Sequence, residues 1–398
     1  MRQERFILFL LAAVNFTNIV DSMIMMPLGD IFMTLFGINP QQFGWLVSAY
    51  SIGAFISAMV GMFFIDRFDR KRALLFIYTG FVIGTLVTPF ATTYPMILAI
   101  RFGTGLFGGM IGALVLSVVS DIFPFKRRGS AMGVLMAAFS AAAALGVPLG
   151  LYLTTQFSWH APFYFIGSVG GLILMVILIK FPSMTNHFEA VNREQGFLET
   201  ITNITSDRNQ VNALSTGIIL ILGHFIIIPF IAPYMTRNVG FSQNDITLLY
   251  FIGGSLTVFT APMFGRMIDR LGAMRMFAIL MVLSFIPVVW LTNLGVTPIP
   301  VALFVTSLFF VLGSGRMIAP QAMITASVGP KNRGSFMSVK SAMQQLAIAL
   351  SAIISGAIVT FEEGTESLVG YEWVGYLSII FSIIAILMAR RLKVAKGN

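Results

Sequence analysis

A few ionisable and amide side chains stand inside long apolar runs of this chain. A charge is costly in such a run and usually has a use there. Asp21 lies in an apolar run over about 6–29, and Arg101 in one over about 95–121. His224 lies in the run over about 213–235, Arg316 in that over 299–327, and Gln344 and Gln345 in that over 335–360. The chemistry open to them is proton and ion handling. A carboxylate at Asp21 can take up a proton and release a cation such as Arg101. Histidine titrates near physiological pH, so His224 is a second candidate on a proton path, a satisfied packing role being the alternative. Arg316 stands alone near mid-run. It either holds an anionic group of a ligand or bonds backbone carbonyls freed by Pro320. Gln344 and Gln345 are candidate hydrogen-bond donors to a solute. Met25, among the methionines from Met23 to Met33, offers an adaptable apolar surface, or is simply packed. Lys340 is placed shallowly enough to snorkel to the polar boundary.

Enzyme chemistry has little support. No nucleophile–base constellation or metal cluster is evident. His160, His187 and His224 are far apart, and the chain has no cysteine, which excludes disulfides and thiolate ligands. No cofactor is expected. Gly103, Gly105 and Gly108 satisfy a dinucleotide-type glycine spacing, but they lie within an apolar helical run and not after a strand. Close helix packing through small residues is the expected use. No phosphate-binding loop for ATP is present.

The elements that position these residues follow from composition. Of 398 residues 57% are hydrophobic and 10% charged, against roughly 25% charged in soluble domains. A membrane helix needs about 20 mostly apolar residues. Twelve such runs are read at about 6–29, 43–65, 73–92, 95–121, 129–155, 160–181, 213–235, 243–267, 274–294, 299–327, 335–360 and 371–389. They are called spans 1 to 12 below. The net charge of +9 does not point to nucleic acid, because the basic residues sit in short clusters between apolar runs. Arg67, Arg70, Lys71, Arg72, Lys126, Arg127, Arg128, Arg266, Arg270, Arg275, Lys331 and Arg333 all lie in or at the edges of the loops after even-numbered spans. The opposite loops carry Arg237 and the acidic Glu362, Glu363, Glu366 and Glu372. The positive-inside rule then places both termini in the cytoplasm of a cell inner membrane, which requires an even number of spans.

The polar stretch 183–212 divides the spans six and six, with a short amphipathic piece expected around 188–204. The expected domains are an N-terminal six-helix bundle over 1–182, that linker, and a C-terminal six-helix bundle over 213–398. Two patterns recur across the linker. Arg128-Gly-Ser-Ala-Met132 matches Arg333-Gly-Ser-Phe-Met337, 205 positions on, and Asp66-Arg67 matches Asp269-Arg270, 203 positions on. Both pairs fall in equivalent loops, so the halves share a plan. Parallel six-helix halves describe one known transporter architecture.

On these motifs the chain resembles the major facilitator superfamily. The loop after span 2, Met62-Phe-Phe-Ile-Asp66-Arg67-Phe-Asp69-Arg70-Lys71, is similar to the family's Asp-Arg…Gly-Arg-Lys signature, with Asp69 in place of the second glycine. Gly265-Arg-Met-Ile-Asp269-Arg270 repeats it in the second half. The resemblance implies a cytoplasmic gate at Asp66, Arg67, Arg70, Asp269 and Arg270, and Asp121 at the end of span 4 is placed to pair with Arg67 or Arg70. Span 4, Arg101-Phe-Gly103-Thr-Gly105-Leu-Phe-Gly108-Gly109, resembles the family's Arg-plus-glycine pattern associated with proton coupling. Gly146-Val-Pro148-Leu-Gly150 is similar to the Gly-Pro motif of proton-driven antiporters, with a valine inserted. Gly105, Gly109, Gly146, Pro148 and Gly150 are read as this helix-packing motif. Trp159-His160-Ala-Pro-Phe163 resembles the start of span 6 in drug and sugar exporters, with His in place of Arg.

The resemblance implies an all-α fold with its solute cavity lined by spans 1, 4, 7 and 10. Asp21 stands ~23 Å along span 1 from the basic side, and Arg101 enters span 4 ~9 Å from the other side. In a ~30 Å core the depths agree. An Asp21–Arg101 pair is therefore expected, either as a static ion pair or as the proton site. The function expected is proton-coupled export of a small organic solute, drug-like or sugar, by alternating access. Uniport or proton symport of a metabolite is the alternative, and a non-transporting receptor or lipid-handling protein a remoter one. The expected partners are that solute, protons and the lipid bilayer. No nucleic acid is expected, and the chain is expected to act as a monomer.

Overall fold

A computed structural model describes residues 2–64, 68–123, 125–185, 197–329 and 333–394. Twelve helices are long and apolar enough to cross a bilayer: Gln3–Ile24, Pro40–Gly61, Arg70–Phe90, Tyr94–Ile122, Ser130–Gln156, Ala161–Lys180, Arg208–Val239, Gln243–Leu271, Ala273–Thr292, Ile299–Ala326, Ser335–Ile358 and Tyr371–Ala389. These are spans 1 to 12. The one sheet among the described residues is a two-stranded antiparallel hairpin, with Thr360 opposite Val369 and Phe361 opposite Leu368.

Several ends differ from the expected ones for identifiable reasons. Span 1 was expected to run to 29, but its helix ends at Ile24. Pro27 has no amide to continue a hydrogen-bonded ladder, and a separate helix, Gly29–Phe36, follows. It ends on Gly37, whose φ of +60° suits a residue without a Cβ. Span 7 starts earlier than expected, at Arg208, because the Asp207 carboxylate accepts from the Asn209 and Gln210 amides and caps it. Pro229 and Pro233 break its far end into short turns. The linker helix covers Phe197–Ser206, and the rest of the expected amphipathic piece lies outside the described residues.

The chain divides into two compact units, Met1–Met25 with Ala49–Phe197, and Met26–Ser48 with Leu198–Asn398. The first has an apolar core built from spans 1, 3, 4, 5 and 6 around Leu11, Tyr78, Phe81, Ile111 and Leu114, all essentially inaccessible. The second has its main core around Phe277, Met281 and Ala319. Met26–Ser48 belongs to the second unit through specific contacts. Arg237 donates to Asp30 at 2.5 Å, to Glu366 at 3.2 Å and to Thr34 at 3.0 Å. Phe43 meets Phe230 edge-on at 5.6 Å. A Cβ on Gly44 would strike the Ala352 carbonyl, so only glycine permits that backbone approach.

Candidate functional site

In the first unit, Asp21 and Arg101 meet as expected. Arg101 Nη1 lies 2.9 Å from Asp21 Oδ2, and both side chains have no solvent exposure. Nη1 also donates to Asp21 Oδ1 at 3.1 Å, and Nη2 donates to the Asp21 backbone carbonyl at 3.1 Å. Thr85 from span 3 donates to Asp21 Oδ1 at 3.1 Å. The guanidinium carbon lies 5.0 Å from the Tyr50 ring centre and 6.0 Å from that of Phe163, within cation–π range. Tyr50 in turn donates to Asn18 Oδ1 at 2.6 Å. Spans 1, 2, 3, 4 and 6 thus converge on one ion pair. Thr85 and Tyr50, and the place of the motif residue Phe163 beside the pair, escaped the sequence reading because a search for buried charge does not register neutral side chains.

The glycines permit this convergence. A Cβ on Gly105 would collide with the Tyr50 carbonyl, and one on Gly109 with the Ala54 backbone. On Gly146 it would strike Val20, and on Gly150 it would come within 2.7 Å of Ile24 Cδ1. Four of the five motif residues are therefore close-approach glycines against spans 1 and 2. Pro148 has a different effect. The turn before it, Ala142–Gly146, widens into a π-helical turn, which relieves the clash between a proline ring and the preceding turn. Gly103 faces open space, so the dinucleotide-like spacing includes a glycine with no packing duty.

In the second unit His224 and Arg316 come together, which the sequence reading did not anticipate. Arg316 Nη2 lies 2.9 Å from His224 Nδ1. Nη1 donates to Ser284 Oγ at 3.0 Å and approaches Met281 Sδ at 3.8 Å. Arg316 is 1% exposed, and its Nε has no partner. The alternative in which Arg316 bonds carbonyls freed by Pro320 does not hold, because its partners are side chains. His224 is partly exposed, and its ring is stacked 5.9 Å from Phe309. Lys340 does not snorkel. It is 3% exposed and bonds Gln321 Oε1, since span 7, packed on span 11 with Gly217 near the Lys340 stem, helps cover it. Gln344 and Gln345 are partly exposed and have no hydrogen bond to a described residue. Met25 is buried, at 2% exposure, so it is packed in this structure.

The gate residues divide. Asp66 and Arg67 lie outside the described residues. Arg70 Nε donates to Asp121 Oδ2 at 2.9 Å, joining the start of span 3 to the end of span 4. Asp69, which replaces the family glycine, caps span 3. It accepts from the Lys71 amide at 3.0 Å, the Met184 amide at 2.8 Å and the Ser183 hydroxyl at 2.7 Å. Partial burial pushes its carboxyl up, but those bonds and the Arg72 charge outweigh it and hold it below the usual carboxylate range. Asp69 therefore fastens the start of span 3 to the segment just after span 6. Asp269 and Arg270 are exposed at the end of span 8 and pair with no described residue. His160 bonds Ser158 through Nδ1 at 3.2 Å and lies against Trp159, and burial lowers its proton affinity.

Comparison with known proteins agrees with this architecture. The model of the Major Facilitator Superfamily matches residues 9–208 and 213–396. The chain is 23% identical over 371 residues to a probable sugar efflux transporter of Helicobacter pylori (strain P12), covering 89% of this chain and 87% of that one. It is 22% identical over 364 residues to the MFS-type transporter YceJ of Bacillus subtilis (strain 168), covering 88% of each. Among solved structures, a D-xylose-proton symporter superposes with a TM-score of 0.77 at 15% identity, over 97% of both chains. The nucleoside transporter NupG superposes with a TM-score of 0.76 at 12% identity, over 97% of this chain and 99% of that one. At these identities the superpositions speak to the fold alone. With a family match across nearly its whole length and twelve membrane-length helices, this chain is a multi-pass membrane transporter, not an enzyme, and it belongs to the Major Facilitator Superfamily.

Proposed function

We propose that the protein exports a small organic solute, sugar-like in size and polarity, in exchange for protons. The observation that carries the reading is the Asp21–Arg101 pair with Thr85 beside it, sealed within the first unit. A carboxylate there changes charge when it takes up a proton, and the Arg101 guanidinium it holds is then free to rearrange. An ionisable pair at that depth is costly unless it is used. The efflux names of relatives similar over most of the chain support the direction. The packing motif Gly146–Gly150, set against span 1, supports an antiport cycle. The basic loops support a cytoplasmic position for both termini, in an inner membrane. The two six-helix halves give alternating access, and one chain suffices for the cycle.

Inverted membrane vesicles, acidified inside and monitored with a pH-gradient dye, test this. Sugars, organic anions and lipophilic cations are added in turn. Solute-specific collapse of the gradient in wild type, lost in Asp21→Asn, is the expected result. Collapse in both proteins would move the proton site, with His224 next. No collapse with any solute, alongside radiotracer counterflow, would replace antiport by uniport or symport.

A further inference from the structure

Each unit buries an arginine, but the two are neutralised differently. Arg101 has Asp21. Arg316, at 1% exposure, has no carboxylate. Among the described residues Asp21 is the one buried carboxylate, and it lies in the first unit. The second unit buries another cation besides: Lys340, 3% exposed, bonds Gln321. Gln321 is five positions on from Arg316, ~7.5 Å along the helix. Burying cations without counter-charge is strongly unfavourable.

The bonding of Arg316 indicates where the missing negative charge belongs. The Nε–H and Nη2–H of a guanidinium form one edge, which a carboxylate grips with both oxygens. Nη1, off that edge, is occupied by Ser284 and Met281. On the edge itself Nε is buried and unpartnered. Among the described residues Nη2 is met only by Nδ1 of His224, a residue that is not fully buried. The fork is thus half empty and half covered by an imidazole ring instead of a carboxylate. Gln344 and Gln345 stand on span 11 between two points where it meets span 7, Lys340 near Gly217 and Ser351 on the Leu222 carbonyl. They bring amide groups with no bond to a described residue, suited to hydroxyls.

We propose that Arg316 docks the carboxylate of the transported solute, displacing His224, so that the solute class is hydroxylated organic acids and not neutral sugars or lipophilic cations. This rests on the transport reading above but not on its direction or coupling.

The test is therefore binding to purified protein without any gradient. Thermal stabilisation is titrated with D-glucose, D-gluconate, D-glucuronate, citrate, D-glucose 6-phosphate and tetraphenylphosphonium. A charge-assisted fork contributes at least about tenfold in affinity. Gluconate or glucuronate should bind at least about tenfold more tightly than glucose, and Arg316→Gln should abolish the difference. Arg316→Lys, which keeps the charge but lacks the fork, should retain only part of it. His224→Ala vacates the edge and should tighten carboxylate binding several-fold, which a purely structural histidine would not do. Equal binding of glucose and the acids, preference for the phosphate ester or the phosphonium ion, or no binding of any acid would each overturn the proposal. If Arg316→Gln does not fold, the wild-type preference and the His224→Ala response decide it. A lack of vesicle response together with acid-selective binding would overturn the exchange reading and leave this one standing.

Discussion

Replacing Asp21 by Ala strands a guanidinium that has no exposure to solvent. The substitution removes the 2.9 Å ion pair and the acceptor shared by Arg101 Nη1 and Thr85, each at 3.1 Å. The Asp21 backbone carbonyl still accepts from Nη2, and the Tyr50 ring still flanks the cation. Breaking a buried pair from one side costs about 3–5 kcal/mol, and the surviving contacts place this case near ~3 kcal/mol. Removing both partners, as Asp21→Ala with Arg101→Met, leaves no stranded charge and should cost ~1 kcal/mol or less beyond the lost packing. The coupling in a double-mutant cycle is then about 2 kcal/mol or more. Reversible unfolding in mixed detergent micelles, titrated with SDS, measures all four proteins. A double variant as unstable as the sum of its parents, with coupling under ~0.5 kcal/mol, would refute the claim that the pair is a desolvated unit. Asp21→Asn keeps an acceptor for both donors and should fold well enough for the vesicle assay.

Other outcomes follow from single contacts. Reversing Arg70 or Asp121 alone should impair transport, and the paired reversal Arg70→Asp with Asp121→Arg should restore part of it, because the 2.9 Å contact couples spans 3 and 4; uptake assays on expression-matched vesicles check this. Gly105→Ala drives a Cβ into the Tyr50 carbonyl and should destabilise by about 1–3 kcal/mol, whereas Gly103→Ala meets open space and should be neutral or stabilising by up to ~1 kcal/mol in the same micelle titration. Asp69→Ala removes the cap of span 3 and should cost ~1 kcal/mol near neutral pH. Because the Asp69 carboxyl is held below its ordinary value of 3.8, that stabilisation is present above about pH 4 and is lost as pH falls through the lower folded value, so the wild-type advantage should vanish in strongly acidic unfolding titrations.

Much of this organisation was legible along the chain. Twelve apolar runs were countable because lipid requires each span to satisfy its own backbone over a fixed thickness. The Asp21–Arg101 pair was legible because two charges at matching depths have few other partners. The close-approach glycines were legible as a motif, although which of them touch was not: Gly105 meets a backbone and Gly103 nothing. Asp69 departs from the family pattern, yet it caps span 3 and ties its start to the segment after span 6. The break after Ile24 was signalled by Pro27, but the run 6–29 stays apolar across it, and hydropathy does not register a missing amide. Lys340 was misjudged by position, because depth along a helix does not say whether a neighbouring helix closes over the side chain.

The class of molecule and the number of its membrane-length apolar segments were determined by composition and order alone, since they depend on the solvent each segment requires and not on its neighbours. The rotation of each helix about its axis was not so determined. Only tertiary packing chose Thr85 and Tyr50 as companions of the Asp21–Arg101 pair and a histidine for Arg316, because a side chain's partner depends on which face of a helix is turned toward which neighbour. Those faces are set by many weak contacts summed over whole spans, which no single stretch of sequence contains.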